Sequence, residues 1–133
     1  MKRIPIILAA LLLLASCREN GELPAFTGLD GIRFVSEGVT MFSYDSLTCQ
    51  LGFNRETRTF RAHTDSMSDF FEVTLSALPT QGGEKVSGDL TWTTSRDIRT
   101  KKDVALEVVR LEGDRIWLWD EDEDIALVIR TLD

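Results

Sequence analysis

Residues 47–54 read Leu47-Thr48-Cys49-Gln50-Leu51-Gly52-Phe53-Asn54, an apolar side chain at every second position and a polar or small one between. Such alternation places the two sets on opposite faces of an extended strand, one toward a core and one toward water. The period of two continues along the chain. Phe60 and Ala62 alternate with Thr59, Arg61 and His63, and Phe71, Val73 and Leu75 with Glu72, Thr74 and Ser76. Val86, Leu90 and Trp92 alternate with Lys85, Ser87, Asp89 and Thr91. Between these runs lie turn formers: Asn54-Arg55-Glu56, Asp65 to Asp69, Pro79 to Gly83, and Glu112-Gly113-Asp114. Further strands are expected at 104–111, 114–119 and 125–131, with one or two more in 31–44. The pattern predicts an all-β fold, an antiparallel β-sandwich or small barrel of about seven to eight strands.

The first residues follow another logic. Met1-Lys2-Arg3 is basic, Ile4 to Ala15 is apolar apart from Pro5, and Leu14-Ala15-Ser16-Cys17 closes the run with small residues before a cysteine. The apolar stretch falls short of the roughly 20 residues that cross a bilayer, and the layout is that of a secretory signal. It resembles a bacterial lipoprotein signal peptide, and L-A-S-C matches that family's lipobox. The resemblance implies that Cys17 is lipidated and becomes the first residue of the mature chain. It also implies a cell-envelope location, anchored to membrane through the N-terminal lipid. Arg18 follows the cysteine where an aspartate would mark inner-membrane retention in the enterobacterial system, so the implied membrane is the outer one. The expected organisation is a signal peptide at 1–16, a lipidated cysteine and polar tether at 17–28, and a single β domain at 29–133. In its layout the chain resembles the small β-rich lipoproteins of Gram-negative envelopes.

Removal of residues 1–16 takes Lys2 and Arg3 from the 15 basic residues, so 13 face 22 acidic ones and the net charge is −9. Such a surface repels phosphate backbones, which argues against nucleic acid as a partner. With Cys17 lipidated, Cys49 stands alone and no disulfide framework is available. Stability must then come from an apolar core, which a mature chain of 117 residues can supply.

Several groups could carry chemistry. Cys49 and His63 are the thiol and the imidazole of the mature domain. A hairpin of 47–54 with 57–64 turning at Arg55-Glu56 sets Cys49 against Ala62 and Thr48 against His63, which holds the pair on opposite faces and argues against a cysteine–histidine enzyme. Asp120 to Asp124 (DEDED) sits between two apolar runs as a hairpin tip. Asp120, Asp122 and Asp124 are oxygen donors of the type calcium takes, but the turn glycine and ligand spacing of a calcium loop are missing. The expectation is therefore no metal and no cofactor, with the tip a solvated loop that guards the hairpin end. Ser95 to Asp103 carries Arg96, Arg99, Lys101 and Lys102 and reads as a basic connection that touches lipid headgroups, stays solvated or pairs with the acidic tip.

Trp117 and Trp119 share one face of a strand and could stack on a sugar ring or a peptide. If Glu112-Gly113 is a two-residue loop they oppose Val108 and Leu106 and are buried. If Gly113 forms a bulge, Ile116 and Leu118 take those places, Arg110 meets Asp114, and the tryptophans join Ala105, Glu107, Val109 and Arg115 on a mixed face. The second register avoids setting Arg110 against Arg115 and is preferred. Trp117, Trp119, Glu107 and Arg115 are thus the candidate ligand-binding residues. The expected function is a non-catalytic envelope binding or accessory protein that recognises a glycan or a protein. The alternative is an inhibitor of a cationic hydrolase such as lysozyme. Size, anchor, acidity and β character resemble the lysozyme-inhibiting lipoproteins, although their expected cysteine pair is missing here.

Overall fold

The computed structural model describes residues 24–36, 39–44, 48–94, 97–120 and 122–132. A 3-10 turn, Pro24–Phe26, precedes nine strands: β1 (Gly31–Phe34), β2 (Val39–Ser43), β3 (Cys49–Asn54), β4 (Thr59–Thr64), β5 (Phe70–Leu75), β6 (Lys85–Thr93), β7 (Ile98–Glu112), β8 (Arg115–Asp120) and β9 (Ile125–Arg130). All nine form one antiparallel sheet in the order β2-β1-β9-β8-β7-β6-β5-β4-β3. The all-β, antiparallel expectation holds. The strand number exceeds the expected seven to eight because both halves of 31–44 are strands. The architecture is a single sheet curled into a half-barrel.

The curl follows from aromatic contacts between strands far apart in the sheet. Phe34 of β1 meets Trp92 of β6 edge-on at 5.7 Å, Phe42 of β2 lies 5.9 Å from Phe71 of β5, and Tyr44 lies 5.7 Å from Phe60 of β4. A flat sheet could not bring these rings together. Register breaks in β1, β6 and β7 supply local bending, as bulges do. At the β6 break Gly88 packs so closely that a Cβ there would stand 2.9 Å from Leu106 Cδ1. The concave face holds the core, with Trp92, Phe60, Phe71, Leu90, Leu106, Leu118 and Leu127 all buried.

Four local features depart from the sequence reading. The β3–β4 hairpin turns over four residues, 55–58, because Asn54 Oδ1 accepts hydrogen bonds from the Glu56 and Thr57 N–H groups at 2.9 and 3.1 Å. Arg58 completes the turn at φ 58°. Pairing therefore slips by two residues, to Cys49 with Thr64 and Leu51 with Ala62. An even slip keeps every side chain on its expected face, so Cys49 still lies on the core side and His63 on the other. The expected basic connection 95–103 is largely strand, since β7 begins at Ile98. Part of the expected tether is packed: Phe26 buries itself with Leu29 of the domain on Ala126 and Val128 of the convex face, and the Arg33 guanidinium holds Ala25 O at 2.8 Å. The Trp-bearing hairpin follows neither register considered from sequence. Gly113 (φ 62°) and Asp114 form its turn, Glu112 faces Arg115 and Arg110 faces Trp117.

Gly31 is required by the approach of β2, because a Cβ at this position would stand 1.8 Å from Phe42 O. Gly31→Ala should lower the unfolding free energy by about 1–3 kcal/mol or more, the cost of ordinary overpacking, and so lower the urea midpoint. An unchanged midpoint would contradict the β1–β2 geometry.

Candidate functional site

The convex face of β7, β8 and β9 carries the predicted binding residues. A bulge in β7 between Val108 and Arg110 brings Val108 opposite Leu118 and Glu107 opposite Trp119. Ile116 and Leu118 consequently point into the core while Trp117 and Trp119 point outward, the face assignment that the charge argument preferred. Neither indole stands free. Both are half-buried against the cluster of Phe26, Leu29, Ala126 and Val128. The Arg110 guanidinium sits 4.8 Å over the Trp117 ring, and such a contact stabilises by about 0.5–2 kcal/mol.

The structure does bring Trp119 and Glu107 together. They line a hollow of about 190 Å³ with Lys85, Ala105, Asp120 and Asp122. Lys85 was not legible as a member, because its place opposite Glu107 depends on β6–β7 pairing past a bulge. The hollow is smaller than the about 300–1,000 Å³ of small-molecule pockets. Its mix of one indole, one cation and several carboxylates suits a contact with a protruding polar or cationic group.

Arg115 does not join this hollow. It turns to the opposite end of β8, where its Nη2 donates to Asp30 Oδ2 at 3.3 Å. Asp30 is 7% exposed and also accepts from the Tyr44 hydroxyl at 3.2 Å. Arg115 thereby neutralises a carboxylate that would be costly to bury alone. Beside it, Arg130 grips Asp114 Oδ2 at 3.0 Å, a contact that holds the guanidinium charged. Burial, and then the Asp30 carboxylate, push the Tyr44 phenol well above its ordinary value of about 10.

The acidic run builds its own turn. Asp120 is buried and its Oδ1 accepts from the Asp122 and Glu123 N–H groups at 2.9 and 3.3 Å. Asp124, at φ 62°, accepts from the Ser36 N–H at 2.9 Å and from its hydroxyl. Glu123 pairs with Lys101 at 2.7 Å, which joins the basic stretch to the acidic tip. With Asp120 and Asp124 engaged this way, the three candidate aspartates do not converge. Among the described residues no group of three or more His, Cys, Asp or Glu is placed to hold a metal ion.

Cys49 on β3 is half-buried, and burial followed by the charges of Asp69 and Asp65 pushes its thiol up, away from the reactive thiolate. His63 Nδ1 contacts Thr64 O at 2.8 Å on the far face. Cys17 lies outside the described residues. No protein-family model matches the chain, and no curated protein or solved structure matches it.

Two outcomes check this geometry. Trp117→Ala should cost roughly 1.5–2.5 kcal/mol in urea unfolding, about half the loss expected from a fully buried aromatic such as Trp92. Equal losses at the two positions would mean that Trp117 belongs to the core. For Tyr44 the folded value is raised, so the stability of its neutral form is complete below pH about 10 and is lost as pH rises beyond that. Base titration of the urea midpoint should therefore fall above pH about 10, and Tyr44→Phe should flatten the fall.

Proposed function

We propose that the chain is a lipid-anchored, non-catalytic binding protein of the bacterial cell envelope. It is held in the outer membrane through Cys17 and recognises a glycan or an envelope protein with the convex face of its sheet. The observation that carries this reading is the lipobox Leu14-Ala15-Ser16-Cys17 behind a basic and then apolar leader. The fold supports a binding role: the concave face is filled with aromatic and aliphatic side chains, so ligand contacts fall to the outer surface. The separation of Cys49 from His63 by the thickness of the sheet supports a non-catalytic reading.

Inhibition of a cationic hydrolase ranks second. It rests on the net charge of −9 that the mature chain would carry, which would steer a basic partner. The strongest acidic run contributes less to such a field than its sequence implies, because Glu123 is paired with Lys101, and Asp120 and Asp124 cap backbone N–H groups.

Expression of the full chain in a bacterial host with labelled palmitate tests the anchor. Label should enter the wild-type protein and the product should be the size of a chain beginning at Cys17. Cys17→Ser should abolish both labelling and cleavage at that site. A Cys17→Ser product that is still labelled and cleaved would refute the reading.

A further inference from the structure

Gly52 lies in the middle of β3, where a glycine weakens a strand and usually marks a bulge, a sharp bend or the close approach of another backbone. None of these applies. Pairing with β4 runs unbroken from Cys49 opposite Thr64 to Asn54 opposite Thr59. The backbone of Gly52 is outside the left-handed region, and a Cβ built on it would meet nothing within 4 Å. What the missing side chain leaves is space.

That space belongs to a groove of about 410 Å³ on the convex face of β3, β4 and β5, well separated in the sheet from the Trp119 hollow. The register explains its lining. Gly52, Arg61 and Glu72 form one row across the three strands, and Asn54, Thr59 and Thr74 form the next. The Thr59 hydroxyl meets that of Thr74 at 2.9 Å and accepts from that of Thr57 at 3.0 Å. Arg61 Nε and Nη2 both donate to Glu72 Oε2, which leaves Oε1 without a partner among the described residues.

We propose that this groove binds a neutral sugar residue, with the absent side chain of Gly52 making room for the ring. The ion pair sums to zero charge, so neither an anion nor a cation is the natural occupant. Hydroxyls that both donate and accept, beside a guanidinium and a carboxylate oxygen, match the neighbouring hydroxyls of a pyranose, each also donor and acceptor. The volume falls within the small-molecule range of about 300–1,000 Å³. This inference deepens the binding role proposed above and rests on it, but it needs no anchoring. Palmitate labelling of Cys17 therefore reads the anchor separately from the groove.

The test is saturation-transfer NMR on the full chain in a detergent without a sugar headgroup, with maltotriose, cellotriose and chitotriose as probes. At least one trisaccharide should receive saturation from the wild-type protein. Gly52→Val should reduce that binding at least about tenfold, and Thr74→Val should weaken it too. The Gly52→Val chain should melt no lower than wild type, since a β-branched residue suits a strand and meets no neighbour. Three results would overturn the proposal. They are no transfer to any of the three probes, binding undiminished by Gly52→Val, or a lower melting temperature in that variant. In the second case, loss of the binding in Trp119→Ala would place the sugar in the other hollow.

Discussion

The fold depends on the burial of β9 from both sides. Residues Ile125 to Ile129 are all fully buried, with Ile125, Leu127 and Ile129 in the concave core and Ala126 and Val128 beneath Phe26 and Leu29. β9 is where two units of the chain meet. On one side it continues the meander that runs from β3 to β8, and on the other it pairs with β1, whose chain position is about ninety residues earlier. Closing so long a loop costs entropy that grows only as the logarithm of its length. A strand with two apolar faces gains burial on both sides of the sheet, which offsets that cost. Asp124 secures the junction, because its carboxylate and carbonyl both hold the Val35–Ser36 turn that ends β1.

With β1 fastened there, Phe34 and Phe42 reach over to Trp92 and Phe71 and fill the half-barrel. With the interior filled, two concavities among the described residues lie on the convex face, and they differ in character. The one at Trp119 is small and edged by charge, whereas the one at Gly52 is larger, neutral and lined with hydroxyls. Arg115, which sequence spacing placed beside the tryptophans, serves instead to neutralise Asp30 at the other end of β8.

The period of two made the strands legible, because each face of the sheet has one polarity over most of its length. Face assignment also proved robust to turn errors. The β3–β4 pairing differs by two residues from the expected one, and the Trp-bearing hairpin turns at Gly113-Asp114, yet Cys49 and His63 sit on the anticipated sides, and Trp117 and Trp119 on the side that the preferred of two registers gave them. An even displacement, or a bulge that compensates an odd one, preserves parity. Three things were not legible. The placement of β1 beside β9 and the docking of Phe26 on Val128 are long-range, and no local spacing encodes them. The groove at Gly52 arises from residues on three strands, and its one local signal is a glycine in an otherwise regular strand. The role of Arg115 depends on a buried aspartate 85 positions away.

Native-state amide hydrogen exchange, followed residue by residue in rising urea, tests the central role of β9 most directly. If β9 is the strand on which the sheet depends, the amides of Ala126 to Ile129 exchange only through global unfolding. Their free energies of opening should then equal that of the whole protein and fall with the full urea dependence. The amides of the edge strands β2 and β3 should open at lower free energy. Exchange of Ala126 to Ile129 through low-energy local opening, while β4 and β5 stay protected to the global limit, would contradict the account.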